Sequence, residues 1–117
     1  MTEYMLLIPN VEAEWEAMSE DEHQAVFARH REFQAALGSR GHKITGGAEL
    51  MRSHTALTVR GGPDGPVVTE GPYAESAEQI SGFYVIESDD RHDLVECVKI
   101  LATAERVLEL RECRPGS

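Results

Sequence analysis

The sequence predicts an α+β domain, an antiparallel sheet with two helices packed on one of its faces. Three observations carry that expectation. Residues 3–9 and 80–87 are short runs of aliphatic and aromatic residues, apolar on both alternating faces, which is the pattern of interior strands. Two longer stretches, beginning near Ser19 and near Asp90, repeat apolar residues at helical spacing behind a capping side chain. The elements read β-α-β-β-(β)-α-β within 117 residues, one domain's length, so 1–117 is a single domain.

In chain order, 3–9 place Tyr4, Leu6 and Ile8 on one face and Met5 and Leu7 on the other, and Pro9-Asn10 ends the strand. The next residues read as a loop in which Trp15 lies as a lid over the sheet or helix edge. Ser19-Glu20-Asp21-Glu22 is a capping box that opens the first helix, with acids facing its positive end. Val26, His30, Phe33 and Leu37 form its inner stripe, Arg29, Arg31 and Glu32 face away, and Gly38 and Gly41 stop it. Residues 42–50 and 55–60 are two further strands joined by a turn near Arg52-Ser53-His54. The Gly46-Gly47 pair in the first of them marks a bulge or a close backbone approach. Gly61-Gly62-Pro63-Asp64-Gly65-Pro66 is a turn, and 67–69 is a short extended piece.

Gly71-Pro72 then forces a bend, followed by a loop bearing Glu75, Glu78 and Gln79. The strand after it sets Ile80, Tyr84 and Ile86 against Phe83 and Val85, so it belongs inside the sheet. Asp89 or Asp90 caps the second helix, whose stripe is Leu94, Val98 and Leu101 beside Val95 and Cys97, and which finishes near Ala104. A last strand over 106–113 and a frayed tail over 114–117 complete the chain. This order matches a ferredoxin-like sandwich. With both helices on one side, the second apolar face of 3–9 and 80–87 needs a cover, and a second copy of the chain is the simplest one. The expectation is a homodimer packed through the sheet face, of the dimeric α+β barrel type.

The stretch Glu70-Gly71-Pro72-Tyr73, followed by Ala74-Glu75, Glu78-Gln79 and Gly82-Phe83-Tyr84-Val85-Ile86, closely resembles the signature of the YCII-related superfamily. Within it the likeness is to the branch named for an Asp-Gly-Pro-Phe (DGPF) motif, with Glu at 70 for Asp, Tyr at 73 for Phe, and Ala77 where that branch often has Lys. The resemblance runs from Tyr4 through Gly46-Gly47 to Arg111 and implies the same fold. It further implies that His30, twelve residues before Gly41 counted inclusively, corresponds to a helix-one histidine proposed to pair with an acid as an acid–base dyad. Relatives in this branch are associated with extracytoplasmic-function sigma factors, which implies a sensory or accessory dimer as the alternative to an enzyme.

Composition narrows the field. Eleven basic against 21 acidic residues give a formal charge of −10, a field that repels nucleic-acid phosphates and anionic lipid, so neither is an expected partner. No run approaches the roughly 20 apolar residues of a membrane helix and no secretory signal opens the chain, so a cytoplasmic location is expected. Cys97 and Cys113 are expected as free thiols. Phosphate-loop, dinucleotide and nucleophile-elbow patterns are missing, and no Cys or His cluster has zinc spacing, so no cofactor and no metal are expected.

His30 is the foremost candidate, since imidazole exchanges protons near neutral pH and this one interrupts an apolar stripe. Its alternative is a hydrogen-bonded core histidine. The acid beside it is sought in Glu70 or Glu75, whose alternative is a solvated loop carboxylate, or for Glu70 a turn brace. Tyr73, Tyr84 and Arg52 are candidate substrate-binding residues, with core, interface or solvated-turn alternatives. His23 shares a helix face with His30 but stands about 10 Å along the axis, too far to share a metal. His42 and His92 are expected on the surface. By analogy with the fold and the relatives, the resemblance implies a cofactor-free lyase, isomerase or dehalogenase acting on a small organic molecule such as an aromatic or lactone; a small-ligand-binding dimer is the competing class.

Overall fold

The computed structural model describes residues 1–116; Ser117, the end of the expected tail, lies outside the described residues. The elements run β1 (Thr2–Val11), α1 (Glu12–Ala17), α2 (Glu20–Ser39), β2 (Lys43–Glu49), a 3₁₀ turn (Ser53–Thr55), β3 (Leu57–Arg60), β4 (Val67–Glu70), β5 (Glu78–Ser88), α3 (Arg91–Leu101) and β6 (Glu109–Glu112). Several loci differ from the sequence reading: β1 continues through Pro9-Asn10 to Val11, β5 begins at Glu78 within the expected loop, and the last strand is confined to Glu109–Glu112. Residues 12–17 are a helix rather than a loop, because Glu12 and Glu14 sit in its first turn and Trp15 anchors it against α2. The helix α3 ends at Leu101, one turn short of Ala104, where the Glu105 N–H reaches back to the Leu101 carbonyl at 2.7 Å.

Four strands form one sheet in the order β2-β5-β1-β6, every neighbouring pair antiparallel. β5 is interior, as its two apolar faces require. Both long helices pack on the face that carries Tyr4, Leu6 and Ile86: Phe33 and Leu37 of α2 and Leu94, Cys97 and Leu101 of α3 complete that core. Burying side chains of this size contributes roughly 1.5–3 kcal/mol each, which holds the two layers together. The capping box at Ser19 is present in both directions, each hydrogen bond 3.1 Å long, and Asp90 caps α3 by accepting from the Asp93 N–H.

Two irregularities shape the region that follows. Ser81 has no partner on β1, and its hydroxyl donates to the Ile8 carbonyl at 2.8 Å. On the other side of β5, Thr45 is the extra residue before Gly46-Gly47. Gly47 has φ 145°, and a Cβ there would stand 2.6 Å from the Phe83 carbonyl oxygen, so the glycine is required by a close backbone approach.

The opposite sheet face bears Met5, Leu7, Phe83 and Val85, in register as Met5↔Val85 and Leu7↔Phe83, and neither long helix covers it. The strands β2 and β3, read from sequence as joined by a turn, are joined but do not pair: β3 pairs with β4 in a separate hairpin. Leu57, Val59, Val67 and Val68 of that hairpin are all more than half exposed. It stretches the chain to 51 × 42 × 17 Å with a radius of gyration of 16.4 Å. A compact chain of this length has about 13 Å.

Candidate functional site

A cleft of about 920 Å³ lies between α1, α2 and the sheet, walled by Ile8, Trp15, Val26 and Phe27 and by a polar group around His30. His30 comes there because it shares the inner stripe of α2 with Val26 and Phe33, but stands where the stripe passes the end of the core. Tyr84 comes from β5 on the face of Ile86, and its ring meets Phe33 edge-on at 5.2 Å. Gln34 is one helical turn beyond His30, and Glu105 is delivered by the turn after α3.

These four side chains form one hydrogen-bonded chain. Glu105 Oε1 lies 3.1 Å from His30 Nε2, Tyr84 Oη lies 2.8 Å from His30 Nδ1, and the Gln34 amide donates to Tyr84 Oη at 3.1 Å. A carboxylate only accepts, so Nε2 carries a proton and donates to Glu105. Nδ1 of the neutral ring is then an acceptor, and the Tyr84 O–H donates to it. His30 and Glu105 keep only 19% and 11% of their side chains exposed, which strengthens the pairing relative to a surface contact. Burial pushes the Tyr84 phenol above its ordinary pKa, with the Glu105 charge adding to the rise and the Gln34 bond opposing it. The hydroxyl is therefore a neutral donor at the wall of the cleft.

Of the residues singled out from sequence, His30, Tyr84 and Arg52 line this one cleft. The carboxylate that meets His30 is Glu105. Glu70 lies exposed on β4 and Glu75 exposed in the following loop, and neither lines the cleft. Tyr73 is 78% exposed, under the Arg60 guanidinium at 5.5 Å, and is also outside it. Arg52 is paired with Glu16 of α1. Sequence reasoning missed Gln34, which the spacing from His30 could have supplied, and Glu105, for which the sequence carries no signal. His42 is buried, against the expectation of a surface residue.

The mouth of the cleft is set by α1. The His23 Nε2 proton is given to the Trp15 carbonyl at 2.7 Å and the two rings stack at 4.1 Å, while Glu12 accepts from the Ser53 N–H at 2.8 Å and from its hydroxyl at 2.5 Å. Those Ser53 bonds, side chain first, hold the Glu12 carboxyl below its ordinary pKa, helped by the Arg52 and His54 charges against some burial. Among the described residues, Asn10 Oδ1 is buried without a hydrogen-bond partner and Arg31 on the cleft wall makes no ion pair.

The YCII-related domain matches residues 2–114. An uncharacterized protein of Rhizobium meliloti (strain 1021) is 29% identical over 112 residues, covering 96% of this chain and 90% of that protein. Among the described residues no helix is long and apolar enough to cross a membrane.

Proposed function

The chain belongs to the YCII-related domain family, and we propose that it is an acid–base enzyme that moves a proton on a small organic molecule bound in the His30 cleft. The hydrogen-bonded run Gln34–Tyr84–His30–Glu105 at the cleft wall carries this reading. Tyr84 stands at the cleft wall with its O–H donated to His30 Nδ1, whose lone pair is the base behind it. As Tyr84 Oη takes a proton from the substrate its own proton passes to Nδ1, so the phenol stays neutral and the imidazole gains the charge. Glu105 positions the imidazole and stabilises it when it becomes charged. Such chemistry draws only on side chains, so lyase, isomerase and dehalogenase reactions are all within its scope. The apolar walls fit an aromatic or lactone body, Asn10 Oδ1 supplies an acceptor for a substrate O–H or N–H, and Arg31 an attraction for an acidic group.

The working form in this proposal is a cytoplasmic homodimer joined through the Met5, Leu7, Phe83 and Val85 face and embraced by the β3–β4 hairpin. The support is the half-buried apolar side chains of that face, which neither long helix covers, and the exposed ones of the hairpin. The strand order agrees with a ferredoxin-like sandwich of the dimeric α+β barrel type, and the Glu70-Gly71-Pro72-Tyr73 turn with the DGPF branch. A second reading has its own observation: both His30 ring nitrogens are already occupied, as suits a ligand-binding or accessory dimer in sigma-factor signalling.

Nitrogen-15 NMR of His30 tests the relay, with the Nε2–H tautomer expected and an Nδ1–H tautomer excluding it. Exchange of solvent deuterium into unsaturated lactones and phenols then separates the readings: catalysed exchange lost in Tyr84→Phe supports the enzyme, and saturable binding without exchange supports the accessory dimer. A monomer in micromolar sedimentation runs overturns the dimer.

A further inference from the structure

A second polar cluster stands at the other end of α3 from Glu105. His42 precedes β2, Asp93 is in the first turn of α3, and Cys97 follows one helical turn later on the same face. One ligand atom from each lies within 4.8 Å of the other two. His42 and Cys97 are buried, while 23% of the Asp93 side chain is exposed and opens the cluster to solvent.

Hydrogen bonds around Ser88 let His42 use either tautomer. Ser88 Oγ accepts from the Asp90 N–H at 3.0 Å and has two acceptors within reach of its one proton, His42 Nδ1 at 2.8 Å and the Asp90 carbonyl at 3.1 Å. With the proton on Nδ1's side, His42 Nε2–H donates to Asp93 Oδ2 at 2.7 Å. With the proton turned to the carbonyl, Nδ1 donates to Ser88 and the Nε2 lone pair is free for a cation. The surroundings suit that cation: Nδ1 is oriented by a fixed oxygen, as in ligating histidines, and Arg40 holds the other Asp93 oxygen.

We propose that His42 Nε2, Asp93 Oδ2 and Cys97 Sγ form a binding site for a divalent transition-metal ion of the zinc type, separate from the His30 cleft. Nitrogen, carboxylate oxygen and sulfur together are a borderline-soft set that suits Zn²⁺ and not Mg²⁺ or Ca²⁺. A tetrahedral ion with bonds of about 2.0–2.3 Å spaces its ligand atoms at about 3.3–3.6 Å. Reaching that geometry asks His42 and Asp93 to part slightly and Cys97 to close by about 1 Å, which side-chain rotation provides. Binding releases the Nε2 proton and the thiol proton to solvent, and the thiolate and carboxylate balance the ion's charge. The fourth position faces water on the Asp93 side.

Cobalt is the probe. The full chain carrying Cys113→Ser has Cys97 as its one thiol. After chelator treatment it should take up one Co²⁺ with a thiolate-to-cobalt charge-transfer band and the intense visible bands of tetrahedral Co²⁺, and Zn²⁺ should erase both. Asp93→Asn and His42→Gln should each weaken Co²⁺ by more than about 100-fold, and Ser88→Ala, which removes the orienting contact along with the Asp90 bonds but no ligand, by about 10–100-fold. No charge-transfer band in Cys113→Ser overturns the site. A band that survives His42→Gln and Asp93→Asn unchanged overturns it equally. The first result needs no core variant to fold.

Discussion

His30 and His42 have the same neighbours by type and opposite situations. Each has a hydroxyl at Nδ1 and a carboxylate at Nε2: Tyr84 and Glu105 for His30, Ser88 and Asp93 for His42. The difference lies in what else the hydroxyl does. Tyr84 Oη accepts a hydrogen bond from the Gln34 amide and has its own proton to donate, so His30 Nδ1 accepts. Ser88 Oγ has a second acceptor beside it in the Asp90 carbonyl, so its proton can lie on either side and His42 Nδ1 can accept or donate. One ring is a base facing a cleft, and the other is a buried joint between the start of β2 and the first turn of α3. Residue types around a histidine therefore do not assign its role; the fate of the third hydrogen bond does.

The largest effect expected from this contrast is on proton transfer. Tyr84→Phe and His30→Gln should lower catalysed deuterium exchange by about 10²–10⁴-fold. His42→Gln should leave it within a factor of two or three, and exchange that fails equally in all three variants would dissolve the distinction. Stability should respond in the reverse order. His42→Ala opens a cavity in a buried site and removes one partner each from Ser88 Oγ and Asp93 Oδ2, and should cost about 2–4 kcal/mol in urea unfolding. His30→Ala, at the wall of an open cleft where water can reach the Glu105 carboxylate it leaves behind, should cost less, about 1–2 kcal/mol. Equal losses would show that His30 is as structural as His42.

Gly47 offers the next step down. Alanine there must place its Cβ against the Phe83 carbonyl at a φ that side chains avoid, and about 1–3 kcal/mol of destabilisation is expected from urea unfolding. Gly38→Ala is the control, because it sits near the end of α2 with open space around its Cα.

These sites were unequally legible in the sequence. Periodicity over 3–9 and 80–87, both faces apolar, foretold that β1 and β5 would be interior, and Ser19 with Glu22 foretold the start of α2, because each signal is local. His30 stood out for a similar reason, as a polar residue on an apolar stripe. Its carboxylate did not. Glu105 is 75 positions away in a turn with no pattern of its own, and only the packing of α3 across α2 brings it in. The acids of the 70–79 stretch looked better because a turn beside a strand start exposes side chains, yet β4 carries Glu70 outward on the hairpin. His42 was misjudged because burial of a residue just before an edge strand depends on α3, 51 positions on.

The smallest expected effects are on pH dependence, where the two sides of the cleft should respond with opposite sign. Tyr84 has a folded pKa raised chiefly by burial, so its contribution to stability is complete below the unfolded phenol value of about 10 and disappears as pH rises through the folded one. Glu12 has a folded pKa lowered by its Ser53 bonds, so its contribution is present above the unfolded carboxyl value and disappears as pH falls through the folded one. Urea midpoints measured across pH should show a Tyr84-dependent fall on the alkaline side, absent in Tyr84→Phe. They should also show a Glu12-dependent fall on the acid side, reduced in Glu12→Gln. The acid limb should be shallow, since the carboxylate only joins α1 to the 3₁₀ turn at the mouth. If Glu12→Gln instead flattens the whole acid limb, α1 is a principal support of the fold rather than a gate resting on the cleft.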